Sequence, residues 1–377
     1  MDNHASRLIL STRRVGRENT VGIPVLRCTS VWLECCSERR VMTPLRRSTL
    51  FFATACTVAC SGAAAQPGPS TTPPDGGAEA AVADDGATSS SAVTQTIATN
   101  ALCTAIPSFY WEIGDVSGPL ASGTVGTGFD ATTTMDIASA SKMVFGAYVV
   151  ERFKGDLTQM DPSLMRMLGG YADFEYDSCL LSTTVSACAS AAKNATVTQA
   201  DVGGFYYSGG DFQAYAAGAL GLGGDTSAQL ATDIKSLVGT ELSFTYSSPQ
   251  LAGGINTSAS DYAAFLRKVL AGTLALHDHL GEDPVCTLPG ASCPTALYSP
   301  AAPYAWHYSY AHWVEDDPTS GDGAFSSAGA FGFYPWIDRT KTYYGIVARH
   351  SLDSGAYIQS AQCGAVIRKA FVTGTVQ

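Results

Sequence analysis

Basic side chains become scarce once the first 65 residues are passed. The 377-residue chain carries 22 Lys and Arg against 33 Asp and Glu, and residues 66–377 hold only 13 of the basic against 29 of the acidic ones, a net charge of −16. A surface of that sign lacks the basic patch that nucleic acid or an anionic membrane requires, which argues against both as partners. An apolar run long enough to cross a bilayer is missing too: Leu50 to Ala59 falls well short of the roughly 20 residues needed. There is no Gly-x-Ser-x-Gly elbow, so an α/β-hydrolase triad has no support, and no His-Glu-x-x-His zinc motif. His277-Asp-His279 precedes Gly281 and reads as a solvated turn rather than part of a metal site. Neither a metal nor an organic cofactor is expected.

What is present falls into segments. Residues 1–41 carry scattered arginines without periodicity and read as an upstream extension outside the folded unit, which makes Met42 the expected start. Residues 42–65 combine Arg46 and Arg47, the short apolar run and the small residues Ser61 to Ala65, the composition of an export signal. Two processing routes stay open: cleavage after Ala65 to release a soluble protein, or lipid modification at Cys60 to anchor it. The chain is thus expected to be exported, as a periplasmic or secreted protein or as an outer-envelope lipoprotein. Residues 66–100 read as a disordered linker, because Gln66 to Ala92 has almost no large apolar side chains with which to offset chain entropy. Residues 101–377 then form the folded domain.

Six cysteines lie in that domain, an even number that favours disulfides in an exported chain. Six cysteines admit fifteen pairings, and proximity alone selects Cys179–Cys188, Cys286–Cys293 and Cys103–Cys363. Strand-like runs open the domain at 108–114 and 120–125, and others close it at 329–337 and 342–349, around a hairpin loop at 338–341. Pro335 cannot donate to a ladder, so its strand is expected at an edge or bulged. Helical patterns lie between these ends, at 139–154 with Gly155 as cap and at 261–270, and a last helix spans about 357–371. The fold class is therefore α+β, an antiparallel sheet built from both termini plus a helical region.

Ser139-Ala-Ser-Lys142 is the sharpest chemical pattern. Residues three apart share a helix face, so Lys142 stands beside Ser139, and a buried amine with a lowered pKa can take the hydroxyl proton. The helix N-terminus also favours developing negative charge. Alone the pattern is weak, since Ser190-Ala-Ala-Lys193 repeats it without an apolar helix behind, and reads as surface.

Context sharpens it. Thr133 to Lys142 followed by an apolar helix resembles the active-site segment of serine β-lactamases, D-alanyl-D-alanine peptidases and related esterases. Phe205-Tyr-Tyr-Ser-Gly-Gly-Asp-Phe212 is similar to the Tyr-Ser-Asn motif of the class C branch. Leu251-Ala-Gly-Gly254 with Ser258 to Phe265 resembles its Gly-Gly turn and following helix, and Ser327-Ala-Gly329 falls where the family has Lys-Thr-Gly or His-x-Gly. The resemblance spans about residues 100–370 and implies a β-lactamase-like fold. It also implies Ser139 as nucleophile, with Lys142 and Tyr207 sharing proton transfer and Tyr206 as the rival phenol. A phenol beside a buried ammonium has its anion favoured, which is the basis for reading Tyr207 as a base. The oxyanion donors would be the backbone N–H groups of Ser139 and Ala330. The substrate-contacting positions would be Gly209, Ser327 and Gly329. Two of these depart from the pattern: Gly209 replaces the Asn and Ser327 the Lys or His. A small-molecule or peptidoglycan-like substrate is implied, with a neutral ester or amide easier to accommodate than a β-lactam. The alternative reading is a non-catalytic binding protein of the cell envelope on the same fold.

Overall fold

The computed structural model describes residues 85–377. The expected extension, the export segment with Cys60, and the linker as far as residue 84 lie outside the described residues. The linker was expected to run to residue 100, but Asp85–Thr99 form a helix, so the domain begins earlier. Ala92, Val93, Thr96 and Ile97 recur at helical spacing and are buried, where this helix packs on the C-terminal helix Ala356–Thr373. A composition of small residues hides such a stripe. An isolated helix of this length is marginal in water, and docking supplies the missing stability.

Eight strands form one antiparallel sheet, in the spatial order Gly118–Val125, Phe109–Asp115, Tyr344–Ala348, Tyr334–Ile337, Ala324–Ser326, Trp313–Glu315, His307–Tyr308 and Val285–Cys286. The first strands of the domain thus pair with its last, from Tyr110 opposite Ala348 to Gly114 opposite Tyr344. Successive side chains alternate between faces, and helices cover both. Gly364 of the C-terminal helix lies flat on the sheet, where a Cβ would fall 2.4 Å from the Tyr334 ring and also meet Val347. On the opposite face helix Ala259–Leu270 brings Arg267 to the Tyr344 hydroxyl at 3.1 Å. All five residues of Tyr344–Ala348 are consequently buried.

Pro335 is not at an edge, since its strand lies between Tyr344–Ala348 and Ala324–Ser326. The proline falls where the second of these ladders runs out. Ser327 N–H donates to the Pro335 carbonyl at 3.3 Å, and proline has no N–H to return.

The helical region is centred on Ser141–Arg152, in which every residue from Ser141 to Val150 is buried. It packs against the helices Ser227–Val238 and Leu276–His279, and its Phe145 ring lies 5.2 Å from that of Phe212 in helix Gly210–Ala217. After it the chain turns through Gly155, whose φ is +77° and whose N–H reaches the Val150 carbonyl at 2.9 Å.

The three disulfides are Cys103–Cys363, Cys179–Cys188 and Cys286–Cys293. The first closes a loop of 260 residues and ties the start of the domain to the C-terminal helix. Replacing both Cys103 and Cys363 by Ser should lower the unfolding free energy by about 2–5 kcal/mol, because the unfolded chain regains loop entropy. Urea unfolding of the double variant measures this; an unchanged midpoint would refute the staple.

Candidate active site

Ser139 lies in a single 3-10 turn, Ala138–Ala140, that leads into helix Ser141–Arg152. The residue before it, Ala138, has φ +45°, a left-handed conformation that an alanine adopts only when its surroundings impose it. Those surroundings are visible. Tyr262 donates to the Ala140 carbonyl at 2.8 Å, Ile255 N–H reaches Ser141 Oγ at 3.1 Å, and Ile137 N–H bonds the Ile255 carbonyl at 3.0 Å. Each is a contact between residues more than 100 apart in sequence.

Lys142 Nζ lies 3.0 Å from Ser139 Oγ and donates to the Ala252 carbonyl at 2.9 Å. That carbonyl belongs to the Leu251–Gly254 turn, whose tight path needs glycine: a Cβ at Gly254 would fall 2.3 Å from the Ser248 carbonyl oxygen. Lys142 is fully buried and, among the described residues, forms no ion pair. Desolvation without a compensating charge lowers its pKa to about 7, so much of the amine is neutral at neutral pH.

Tyr207 joins this pair, its ring centroid 4.9 Å from Lys142 Nζ and its hydroxyl interacting with Ser139 and Trp313. Trp313 also stacks on the phenol, with centroids 5.0 Å apart and planes at 21°. Tyr206, the rival, instead packs on Tyr298 at 5.2 Å. The expectation of a favoured phenolate fails. Burial outweighs the hydrogen bonds and pushes Tyr207 up to about 12, so the phenol form is favoured beside the amine.

The segment expected to contact substrate behaves differently. Ser327 is buried, and its hydroxyl donates to the Ser139 carbonyl at 2.8 Å. It props the Ser139 backbone through this bond. Gly329 lies directly on the same turn, since a Cβ there would fall 2.0 Å from the Ile137 carbonyl oxygen. These two contacts hold the 327–330 segment beside residues 137–139. Neither the Ser139 nor the Ala330 N–H has an intramolecular acceptor among the described residues. Gly209 has no room for the side chain it replaces: a Cβ would lie 2.8 Å from the Phe174 ring and 3.1 Å from Ala252.

Trp313 and Tyr176, whose ring centroid lies 6.0 Å from Lys142 Nζ, border the pair without a local sequence signal, whereas Ala252 lies in the Leu251–Gly254 segment already singled out. The rejected patterns sit elsewhere. Ser190 is exposed and bonds its own helix at the Ser186 carbonyl, while His277 and His279 have separate partners in the Val269 carbonyl and Glu282.

No protein-family model and no curated protein matches the chain. Solved structures do. An octameric penicillin-binding protein homologue from Pyrococcus abyssi superposes with a TM-score of 0.52 at 12% identity, covering 77% of this chain and 78% of that one. The fold is β-lactamase-like. A candidate 6-aminohexanoate-dimer hydrolase from Bacillus anthracis gives 0.51 at 15% identity, over 74% and 83% of the two chains. A candidate β-lactamase from Bacteroides dorei gives 0.50 at 18%, over 71% and 94%. At such identities the likeness is one of fold alone.

Proposed function

We propose that the β-lactamase-like domain is an exported serine hydrolase that cleaves an uncharged ester or amide through an acyl-enzyme. The observation that carries this reading is a fully buried lysine, free of ion pairs among the described residues, with Nζ 3.0 Å from a serine hydroxyl. Burying an amine without a counter-charge costs stability. That cost is unexplained by packing and is what a base working near neutral pH requires. Ser139 Oγ attacks the substrate carbonyl carbon as its proton passes to Lys142 Nζ, and the Ser139 and Ala330 N–H groups receive the oxyanion. The bond to the leaving group then breaks, and the leaving oxygen or nitrogen takes the proton from Lys142 through the Tyr207 phenol. Water attacks the acyl-enzyme by the same route and releases the acid. Three disulfides fit an oxidising compartment and support export.

The restriction to uncharged substrates rests on the missing cation. Gly209 and Ser327 supply neither the amide nor the positive charge of the related motifs, and Arg339 is exposed on the far hairpin. Losing such polar partners is worth about 2–4 kcal/mol, or roughly 30- to 1,000-fold in rate. The expected result is turnover of neutral acyl esters with kcat/KM higher by that factor than for a cephalosporin or a D-alanyl-D-alanine peptide. The test is a hydrolysis screen on one preparation; a preferred cephalosporin would overturn the reading.

A further inference from the structure

The wall of the site is built by a loop that the chemistry above does not use. Residues 174–188 are pinned at several points. Cys179–Cys188 staples them, and the buried Asn194 accepts from Glu175 N–H at 2.6 Å and donates to the Cys188 carbonyl at 2.9 Å. Gln250, two residues before Ala252, donates to the Tyr176 carbonyl at 3.0 Å. Phe174 fills the space beside Gly209 and meets Tyr176 edge-on, with centroids 5.0 Å apart. The loop therefore occupies the place of the missing second-motif side chain and presents Tyr176 to the Lys142 amine.

Tyr176 is divided in its surroundings. The residue as a whole is 38% exposed, although its ring centroid lies 6.0 Å from the buried Lys142 amine. Burial raises the pKa of its hydroxyl, and Tyr207 and Tyr298 raise it further. Tyr298 is 46% exposed as well, and its backbone carbonyl accepts from Tyr207 N–H at 3.1 Å, which places it against the same site. Two partly exposed tyrosines thus border the site, Tyr176 beside Lys142 and Tyr298 beside Tyr206 and Tyr207. On the loop itself, Asp173, Glu175 and Asp177 are exposed around Tyr176, so an anionic group would be repelled there.

We infer that Tyr176, with Tyr298, forms an acyl-group subsite and makes the enzyme selective for esters or amides whose acyl part is aromatic and uncharged. This rests on the serine-hydrolase reading and deepens it. Aromatic rings gain from offset or edge-on contact beyond the area they bury. A pre-set wall, stapled by a disulfide, adds no ordering cost on binding. Tyr176 is a specificity residue here; Ser139 and Lys142 carry the chemistry.

The test uses the full chain with 4-nitrophenyl acetate and 4-nitrophenyl phenylacetate. The unmodified protein should favour the phenylacetyl ester in kcat/KM by roughly 10- to 100-fold, the range one apolar pocket contact can supply. Tyr176→Ala should cut the ratio of phenylacetyl to acetyl kcat/KM roughly 10- to 30-fold, mainly through the phenylacetyl KM. Tyr176→Phe should keep the preference, and Tyr176→Leu should give an intermediate one should the alanine variant not fold. Labelling of Ser139 by a fluorophosphonate reports an intact site in each variant. A preference for acetyl in the unmodified protein, or variants that lower both esters in step, overturns the subsite while leaving the hydrolase reading in place. Absence of both labelling and ester turnover in the unmodified protein overturns the hydrolase reading and the subsite with it.

Discussion

Ser139→Ala is expected to abolish covalent capture by a fluorophosphonate and to lower ester turnover by about 10⁴-fold or more, since without the nucleophile no acyl-enzyme forms. Only binding and the oxyanion donors would remain to act on a bound ester. The variant should fold, because the Ser139 side chain meets only the Lys142 amine and the Tyr207 hydroxyl, and the contacts that hold its turn are made by backbone carbonyls and by Ser327, Tyr262 and Ile255. Ser190→Ala is the control: its hydroxyl bonds the preceding turn of its own helix and the nearby Lys193 is exposed. It should label and turn over like the parent. Mass mapping of the labelled peptide decides between them, and equal labelling of the parent and Ser139→Ala would end the proposal.

Lys142→Met should move activity and stability in opposite directions. Loss of the base is expected to cost roughly 10²- to 10⁴-fold in kcat/KM. In the parent, kcat/KM should rise with pH through an apparent pKa near 7, since only the neutral amine accepts the serine proton, and it should show no phenolate limb below pH 10 because Tyr207 titrates at about 12. The stability argument follows from the same shift. Below pH 7 both folded and unfolded lysines are protonated, and the full cost of burying the ammonium is present. Between about 7 and the unfolded value of 10.5 the folded chain binds fewer protons, so stability rises with pH across that window. The two limits differ by about 5 kcal/mol. Methionine removes the charge but forfeits the bonds to Ala252 and Ser139, leaving a net gain of roughly 1–3 kcal/mol at pH 6–7 that fades above pH 10. Urea midpoints at pH 6.5 and 10.5 check this. A variant less stable than the parent at pH 6.5 would show that the lysine is held as a satisfied cation.

Much of this domain can be read locally. The strands that open and close it have short-range apolar patterns bounded by turns, and the helix behind Ser139 is apolar from Met143 to Val150, so these element types follow from spacing alone. Ser139 and Lys142 are neighbours on one turn, and no distant residue is needed to bring them together. The disulfides were legible for a related reason, as two pairs are separated by only nine and seven residues and leave one partner each for Cys103 and Cys363. The helix Asp85–Thr99 escaped because its stripe of alanine, valine and isoleucine is too weak to announce itself and becomes helical by docking on Ala356–Thr373.

The site divides along the same line. That a serine and a lysine could act together was set by the sequence itself, through a spacing of three residues. Whether the lysine is neutral was decided by tertiary structure, because desolvation depends on everything packed around Nζ, from Ala252 to the rings of Tyr207 and Tyr176. The states of Tyr207 and Ser327 depend on packing too: burial raises the pKa of the first, and the hydroxyl of the second donates to the Ser139 carbonyl. Local patterns record which groups a chain owns. Burial and the direction of each hydrogen bond belong to the packed whole, and those determine what the groups can do.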